Sequence, residues 1–319
     1  MNLSVRPYST NDAYAWDEFC RDALQATLLH TRRFLSYHGE RFSDCSLIIE
    51  DNGQWVGLFP AALRNKDDGY IISHPGITYG GILHKGGLRG EQMVEALTHI
   101  ASYYHSRGYA RLIYKPVPTF YHRAPAEDDL YGLYRIGAIK TRFDLSTTVD
   151  LHYRLPISER RRRSLKKAIK AGVEIFEGTQ YLAELWDILA KNLKNKHGVK
   201  PIHSLSEIVL LAQRFPRDIR CICAKLNEQV VAGTVLFITY TTNHAQYIAS
   251  SEKGYEVAAL DMVFDHAIDR AVREGKRWFD FGISTESQGN VLNEGLYRFK
   301  TEFGGGGFAY EFYEIDLTS

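Results

Sequence analysis

The sequence contains few cysteines, almost no net charge and no long apolar run. Its four cysteines, among 319 residues, lack the spacing of a zinc site. Cys221 and Cys223 alternate within an apolar run, which predicts one face of a buried strand and free thiols in a reducing compartment. The formal net charge of +1 excludes a molecule that attracts polyanions over its whole surface. Contact with nucleic acid would therefore require a local basic patch.

Targeting, metal-binding and nucleotide-binding signals are also absent. Residues 1–7 lack the apolar segment of a signal peptide, and no stretch approaches the roughly 18 apolar residues that span a bilayer. The twelve histidines occur without a His-Glu-x-x-His pattern, which predicts no catalytic metal. The run 304–307 has no Gly-Lys-Ser/Thr continuation, so it is not predicted to hold phosphate. The sequence predicts a cytoplasmic protein without a transmembrane segment.

The sequence contains an internal repeat, in which the same series of helix, turn and strand patterns occurs twice. The helical segments around Trp16 and Trp186 correspond, and the predicted turn at 51–57 returns at 227–233. A helix end, its closing glycine and the next strand occupy 106–114 and again 273–281. The offsets are about 170 residues, which is the size of one domain. The repeat predicts two duplicated α/β halves, with domains at 1–150 and 151–319.

Hydrophobic periodicity predicts the same element types in both halves. The first half has predicted strands at 45–50, 55–61, 70–73 and 110–114, and a helix at 91–107. The second half has predicted strands at 219–225, 230–240, 244–250 and 278–281, helices near 182–193, 257–274 and 294–303, and a last strand at 310–315. The glycine-rich loop 76–90 is predicted to shape a groove in the first half, or to serve as a long connector.

These elements and three motifs together resemble one family. The motifs are the basic segment 160–172, the tripeptide 280–282 and the run 296–305. Their order is similar to the FemABX-like branch of the GNAT N-acyltransferases, most strongly in the second half. The resemblance implies an α/β (α+β) fold of two tandem GNAT-like domains, each with a mixed, mostly antiparallel sheet flanked by helices. It implies acyl or aminoacyl transfer to an amine of a phosphate-bearing cell-envelope precursor, of peptidoglycan or surface-glycan type.

The resemblance implies no tightly bound cofactor but an acyl donor, either an acyl-CoA or an aminoacyl-tRNA. The segment 254–259 lacks the Arg/Gln-x-x-Gly-x-Gly/Ala loop with which GNAT enzymes hold the pyrophosphate of acetyl-CoA. A helix start still offers unpaired N–H groups that favour phosphate. The candidate donor-binding residues are Gly254, Val257, Ala258 and Ala259, and the alternative is a helix start that only contacts water.

The resemblance also suggests where reaction takes place. In GNAT-like folds donor and acceptor meet where two strands separate, here those at 246–250 and 279–283. Lys300 matches the family lysine that binds phosphate or steadies the transferred carbonyl, unless it is a surface lysine in a last helical turn. Tyr247 can donate a hydrogen bond to an oxyanion, or is a half-buried strand tyrosine. Asp280 can orient the amine or accept its proton, or cap a turn.

Acceptor binding is predicted for a basic run and two further residues. Arg163, Lys166, Lys167 and Lys170 share one face if their segment is helical. That face can bind a nucleotide-sugar diphosphate, a lipid diphosphate or a tRNA acceptor stem, or it can be a solvated surface. The candidate acceptor-binding residues are Arg160, Arg163, Lys167, Lys170, Phe299 and His197. The alternatives for the last two are a phenylalanine of the hydrophobic core and a surface histidine without a binding role.

Two other functions remain open at this stage. One is an acetyl-CoA-dependent N-acetyltransferase that acts on a nucleotide sugar or a small amine. The other is a non-catalytic binding module, because no general base is evident and duplicated folds can lose activity. For the acyl- or aminoacyltransferase, the second half is expected to carry the reactive site, and the first half to complete the acceptor cleft.

Overall fold

The chain forms two compact units. The computed structural model describes residues 2–63 and 69–318, except for the side chain of His197. The first unit comprises the residues up to 144, 287–290 and those from 309 onwards, and the second comprises 145–286 and 291–308. The sequence assigned residues 151–319 to one domain, whereas the last strand returns to the first unit because it pairs with a strand there.

The described residues of the first unit form two sets of strands and three helices of two turns or more. One antiparallel sheet has the order β1 (Leu3–Pro7), β2 (Leu47–Asp51), β3 (Gln54–Phe59), β6 (Leu83–His84). The second set has the order β4 (Ala62–Leu63), β5 (Tyr70–Ile72), β7 (Arg111–Tyr114) and the final part of β16 (Gly306–Asp316). The helices are α1 (Ala13–Asp22), the single turn α2 (Arg32–Leu35), α3 (Glu91–His105) and α4 (Asp128–Arg135). The sequence predicted β2, β3, β5, β7 and α3, and missed β1 and α4.

Helix α3 is the centre of the first hydrophobic core. Its apolar residues Met93, Leu97, Ile100 and Tyr104 recur at helical spacing and are buried. They pack with Ile49 and other buried residues of both strand sets. Burial of this face, rather than helix propensity alone, stabilises α3.

The second unit is built around one sheet with the order β8, β13, β12, β11, β10, β9. These strands are β8 (Ile139–Asp150), β9 (Glu174–Glu177), β10 (Ile219–Leu226), β11 (Gln229–Ile238), β12 (Thr242–Ser250) and β13 (Trp278–Ile283). Only the residues of β8 from 145 onwards belong to the second unit. A small hairpin is formed by β14 (Thr285–Glu286) and β15 (Val291–Leu292). The helices are α5 (Glu159–Lys170), α6 (Leu182–His197), α7 (Leu205–Arg214), α8 (Glu252–Glu256), α9 (Ala259–Arg273) and α10 (Glu294–Thr301). All neighbouring pairs are antiparallel except β12 and β13.

Helices cover both faces of this sheet. Side chains alternate between the faces of a strand, and Ile248 packs in the core formed by α9, whereas Tyr247 packs on Trp186 of α6. Phe279 and Phe281 also belong to the α9 core, so Asp280 between them lies on the α6 face. Helix α5 packs on α9 through Ala168. Within the described residues, no helix combines the length and apolar character needed to cross a bilayer.

The predicted repeat is preserved in structural detail. The indole N–H of Trp16 donates to the carbonyl of His30 at 2.8 Å, and that of Trp186 donates to the carbonyl of His203 at 3.1 Å. In each unit the next residue, Thr31 or Ser204, caps the following helix. In both units the same hydrogen bond therefore joins the helix that carries the tryptophan to the start of the next helix.

The segment after β12 forms the short helix α8, which Ser251 caps. Gly254 is buried at this point, and a Cβ on it would come within 2.3 Å of the Val231 carbonyl oxygen and 2.5 Å of Ser250 Oγ. Only glycine lets α8 approach β11 and β12 so closely.

We therefore expect Gly254→Ala to destabilise the second unit by about 1–3 kcal/mol, the usual effect of forcing an extra carbon into a packed site. Gly295→Ala is the matched control, because that glycine lies in helix α10 with only the Asn293 side chain near its Cβ position, at 3.8 Å. The control should be neutral or slightly stabilising. Urea denaturation of both variants measures the difference, and equal stabilities would contradict the packing role of Gly254.

Candidate active site

Strands β12 and β13 form a fork. They pair in parallel only through Thr242 with Trp278, Asn243 with Phe279, and His244 with Asp280. Beyond these pairs β12 continues beside β11 and β13 beside β8. A bulge at Gln246 in β12 and an irregular register after Asp280 in β13 turn the two strands apart. The fork opens within the strand segments that the sequence predicted to separate.

Asp280 lies at the point where the fork opens and is fully buried. Its Oδ1 accepts hydrogen bonds from Ser146 Oγ at 2.5 Å, Thr148 Oγ1 at 3.1 Å and the Gly282 N–H at 3.2 Å. Its Oδ2 lies 2.6 Å from His244 Nδ1. Three of these contacts converge on Oδ1 and one reaches Oδ2, and all four come from groups that can donate, so they support the ionised form.

His244 is the partner of Asp280 across the parallel pair, and its side chain is 12% exposed. Because a carboxylate only accepts hydrogen bonds, the proton of the neutral ring is assigned to Nδ1. The lone pair then belongs to Nε2. A carboxylate that fixes the imidazole in this tautomer is the arrangement that makes histidine a general base.

Lys300 contacts the same part of β13 from helix α10. Its Nζ donates to the carbonyl oxygens of Gly282 at 2.8 Å and Ile283 at 2.7 Å. The side chain is buried, and burial lowers the pKa of Lys300 to about 8, although the charge of Asp280 opposes this shift. The alternative of a surface lysine is therefore wrong. The structure places Lys300 where it holds the end of β13 beside Asp280.

Both arms of the fork carry a buried polar atom for which the described residues offer no hydrogen-bond partner. These atoms are Gln246 Oε1, at the bulge of β12, and Ser284 Oγ, directly after β13. Buried polar atoms in proteins are almost always paired, so such exceptions point to water or a ligand. Two of them on opposite arms make the fork the best-supported ligand site of the second unit.

Tyr247 lies on the same face of the sheet but contacts a different group of residues. Its ring packs edge-on against Trp186, and its hydroxyl group contacts the ring of His203 and accepts from the His203 N–H at 3.3 Å. These contacts join β12 to the loop between α6 and α7. The predicted oxyanion role of Tyr247 stays a prediction. His197 ends helix α6, and its side chain lies outside the described residues.

The basic run 160–170 forms helix α5, as the predicted shared face requires. Arg160, Arg163, Lys167 and Lys170 are exposed, together with Lys166. Arg161 differs from its neighbours because it is buried, with Nη1 2.7 Å from Asp261 and Nε 2.9 Å from Glu302. Three of the four consecutive arginines therefore contribute to the exposed charge.

Phe299 belongs mainly to the core. Its ring packs against Phe264 and Phe303, and the Arg161 guanidinium lies 4.7 Å above it. Such a cation over an aromatic face is favourable and fixes both groups. Phe299 thus supports the α5–α10 contact, and its predicted contact with the acceptor stays a prediction.

The predicted donor site at the start of α9 contains a charge of its own. Helix α9 begins at Ala259 after Ala258, which has left-handed backbone angles (φ 57°). Asp261 in its first turn is buried and paired with Arg161. Burial raises the pKa of Asp261 to about 6, while Arg161 opposes this shift. An acid in the first turn already complements the helix dipole, which weakens the attraction for a phosphate. The donor role of Val257, Ala258 and Ala259 stays a prediction, and Gly254 has a packing role.

The first unit contains a separate cleft of about 660 Å³, a volume typical of ligand sites. Its wall includes buried Arg32, whose guanidinium lies 3.4 Å from the centre of the Tyr8 ring and pairs with Asp44. His38 lines the same cleft, and its Nε2 lies 3.1 Å from the carbonyl of Gly76. The glycine-rich loop thus begins beside a residue that lines the cleft, and its role in shaping a groove stays a prediction.

The sequence missed His244, although a signal existed. His244 and Asp280 are each the third residue of their strands. If neighbouring strands run parallel and start in register, equal offsets place their residues side by side. The sequence does not show that these two strands are neighbours in the sheet, and without that knowledge the equal offsets cannot be interpreted. The residues that line the first cleft were also missed, because they come from segments that are distant in sequence.

Comparisons with known proteins agree with this architecture. Residues 158–301 match the sequence profile of the family described as "Acetyltransferase (GNAT) domain". A comparison with curated proteins found no match. Among solved structures, FemX is 12% identical with a TM-score of 0.68, and the alignment covers 98% of this chain and 97% of that one. L-PGS from Bacillus licheniformis is 13% identical, with a TM-score of 0.63 over 98% and 93% of the two chains.

A third solved structure has the same duplicated arrangement. It is a tandem GNAT protein from the clavulanic acid biosynthesis pathway, 10% identical with a TM-score of 0.55, and the alignment covers 100% of this chain and 99% of that one. At these identities the structures show a common fold, and the profile match identifies the domain. Residues 158–301 therefore match a GNAT acetyltransferase domain, and the chain as a whole has the fold of FemX and of the tandem GNAT protein.

Proposed function

We propose that the second unit transfers an acyl or aminoacyl group to an amine of a phosphate-bearing cell-envelope precursor, with reaction at the fork between β12 and β13. The observation that carries the proposal is the His244–Asp280 pair at the opening of the fork, at 2.6 Å. The unpaired atoms of Gln246 and Ser284 on the two arms support a ligand between them.

The chemistry follows from the tautomer of His244. The acceptor amine attacks the carbonyl carbon of the donor, and His244 Nε2 takes the proton that the amine loses. Asp280 keeps the ring oriented and stabilises the imidazolium that forms. Asp280 is therefore a positioning residue in this mechanism, and His244 accepts the proton. The proton then passes to the leaving group of the donor, whose bond to the acyl carbon breaks.

Lys300 acts in this mechanism through the backbone. Its two hydrogen bonds to Gly282 and Ile283 hold β13 just beyond Asp280, where the register is irregular. The Gly282 N–H is also one of the donors to Asp280. Loss of the Lys300 amine would therefore let the strand end move and would disturb the carboxylate that orients His244.

The exposed cations of α5 supply the affinity for phosphate. Several lysines and arginines on one solvent-accessible face attract a diphosphate without base-specific or sugar-specific contacts. The buried Arg161 fixes this helix to α9 through Asp261, so the cationic face has a defined position in the second unit. This supports an acceptor that carries phosphate, whether linked to a nucleotide or to a lipid.

An aminoacyl donor is favoured over acetyl-CoA by the start of α9. Asp261 lies in the first turn and is paired with Arg161 of α5, at the place where an acyl-CoA pyrophosphate would otherwise contact free N–H groups. The match to an acetyltransferase family favours the alternative, an N-acetyltransferase that uses acetyl-CoA. The two are separated by thermal shift, since a ligand that binds the folded chain raises its melting temperature.

We expect aminoacyl-tRNA to raise the melting temperature more than acetyl-CoA, and the stabilising donor to support transfer to a nucleotide-linked or lipid-linked amine. With that donor, His244→Gln and Asp280→Asn should each lower kcat by about 10²–10⁴-fold, the usual contribution of a positioned base. His266→Gln is the matched control, because His266 forms the other histidine–carboxylate pair of this unit, with Glu177 at 2.7 Å.

The result of this experiment decides between the three functions. Stabilisation and turnover with acetyl-CoA alone would replace the proposal with the acetyltransferase alternative. Absence of binding and of turnover with both donors would favour a binding module. Full activity of His244→Gln would refute the assignment of the base.

Neutralising α5 should weaken acceptor binding more than it changes chemistry. We expect the double variant Lys167→Gln/Lys170→Gln to raise the KM of a phosphate-bearing acceptor about tenfold with little change in kcat, because these cations bind a part of the acceptor that does not react. The effect should diminish as ionic strength rises. Arg273→Gln, an exposed cation at the end of α9, serves as the control. An unchanged KM in the double variant would show that α5 is only a solvated surface.

Lys300 should impose a measurable pH dependence on stability. Its pKa is about 8 in the folded chain and 10.5 ordinarily, so the unfolded chain binds more protons between these values. The free energy of unfolding should therefore rise with pH from about 8 to 10.5, by on the order of 2–3 kcal/mol from this group. Urea titrations of the wild type and of Lys300→Met measure that slope by difference.

Lys300→Met should also lower kcat, whereas Lys276→Met should not. Lys276 is a fair control because its Nζ likewise donates to two carbonyl oxygens, those of Thr239 and Tyr240, before the start of β12. The same pH slope in Lys300→Met as in the wild type would contradict the burial of its charge, and unchanged turnover would remove Lys300 from the site.

A further inference from the structure

The loop between α6 and α7 carries a surface that acyl transfer does not use. No aspartate or glutamate occurs between Asp187 and Glu207. The same stretch contains exposed lysines on the last turns of α6 and in the loop, namely Lys191, Lys194, Lys196 and Lys200. This stretch therefore carries exposed positive charge and no negative charge of its own, in a chain whose overall charge is close to zero.

Apolar side chains project from the same loop into solvent. Ile202 is 80% exposed, Val199 is 51% exposed, and Leu205 is 37% exposed. Tyr255 of α8, also exposed, lies beside Lys196, with Nζ 5.7 Å from the ring centre. Large aliphatic groups gathered at one exposed place mark a surface that contacts something apolar.

Hydrogen bonds fix the loop between α6 and α7 to the rest of the second unit. The Trp186 indole donates to the His203 carbonyl, and the His203 N–H donates to the Tyr247 hydroxyl. Gly198, with left-handed backbone angles, ends α6, and Ser204 caps α7 through reciprocal hydrogen bonds with Glu207. Ile202 is thus presented outward between two fixed points, which lowers the ordering entropy that binding must overcome.

We propose that residues 194–205 form a membrane-binding surface whose partner is an anionic phospholipid bilayer. Lysines attract the negative lipid headgroups, and the aliphatic side chains enter the interface below them. This combination favours lipid over RNA, because RNA recognition relies on arginine and on aromatic stacking platforms, whereas this loop offers lysine and aliphatic groups.

The position of the surface relates it to the fork. His203 of the loop contacts Tyr247 of β12, which lies on the same sheet face as Asp280. Attachment through this loop would turn the α6 face of the second unit toward the bilayer, where a lipid-linked amine is presented. The inference goes beyond the proposed function and is independent of it, since lipid binding is measured without donor or acceptor.

Vesicle co-sedimentation of the full chain tests the proposal. We expect binding to vesicles of equal parts phosphatidylcholine and phosphatidylglycerol, weakened by salt, and none to pure phosphatidylcholine. Ile202→Asp and Lys196→Glu/Lys200→Glu should each reduce binding by about tenfold or more. The matched controls, Ile169→Asp on α5 and Arg217→Glu/Arg273→Glu, should bind like the wild type.

Other outcomes would overturn it. One is absence of binding to the anionic vesicles, and another is an equal loss of vesicle binding in the control variants. A third is that the chain binds uncharged tRNA but no vesicles, and that Lys196→Glu/Lys200→Glu abolishes this tRNA binding. Dimerisation that Ile202→Asp abolishes, seen by sedimentation velocity without vesicle binding, would identify a second copy as the partner instead. Because Ile202 is exposed, its variant should keep the wild-type melting temperature, and this control separates lost binding from lost folding.

Discussion

The candidate site depends on a parallel strand pairing that stops after three residues. In a sheet of otherwise antiparallel neighbours, β12 and β13 can share hydrogen bonds only until the bulge at Gln246 and the irregular register after Asp280 turn them apart. Beyond that point the outward-facing backbone groups of the two strands remain bonded to β11 and β8. The fork therefore opens without leaving the strands unsupported, and its apex holds His244 against Asp280.

The buried charges around the fork show how the fold keeps this apex rigid. Asp280 is surrounded by donors from β8, β12 and its own turn, and Lys300 holds the strand end that follows. A buried carboxylate with three donors on one oxygen and a histidine on the other has one stable orientation. That orientation is what makes the ring nitrogens of His244 chemically distinct.

Duplication explains why two units share a scaffold and differ in detail. In both units a tryptophan indole donates a hydrogen bond to a histidine carbonyl oxygen, and Thr31 or Ser204 caps the next helix. In the second unit the histidine side chain also contacts Tyr247 of β12, and the loop that contains it bears the exposed lysines and aliphatic residues. The same tryptophan–carbonyl hydrogen bond thus supports the proposed membrane-binding surface in the second unit, and the first unit can have the bond without such a surface.

The sequence by itself determined the fold class, the repeat and most of the longer elements, because helical and strand periodicity, closing glycines and the turns at Asn52 and Asn227 are local signals. It also proposed Asp280 and Lys300 as site residues and a shared cationic face on α5. Tertiary structure alone decided that Arg161 is buried among exposed neighbours, that Gly254 packs against β11, and that His244 meets Asp280. Each of these depends on which distant segment lies alongside, and strand order and helix packing are set by the burial of whole faces, which no local pattern records.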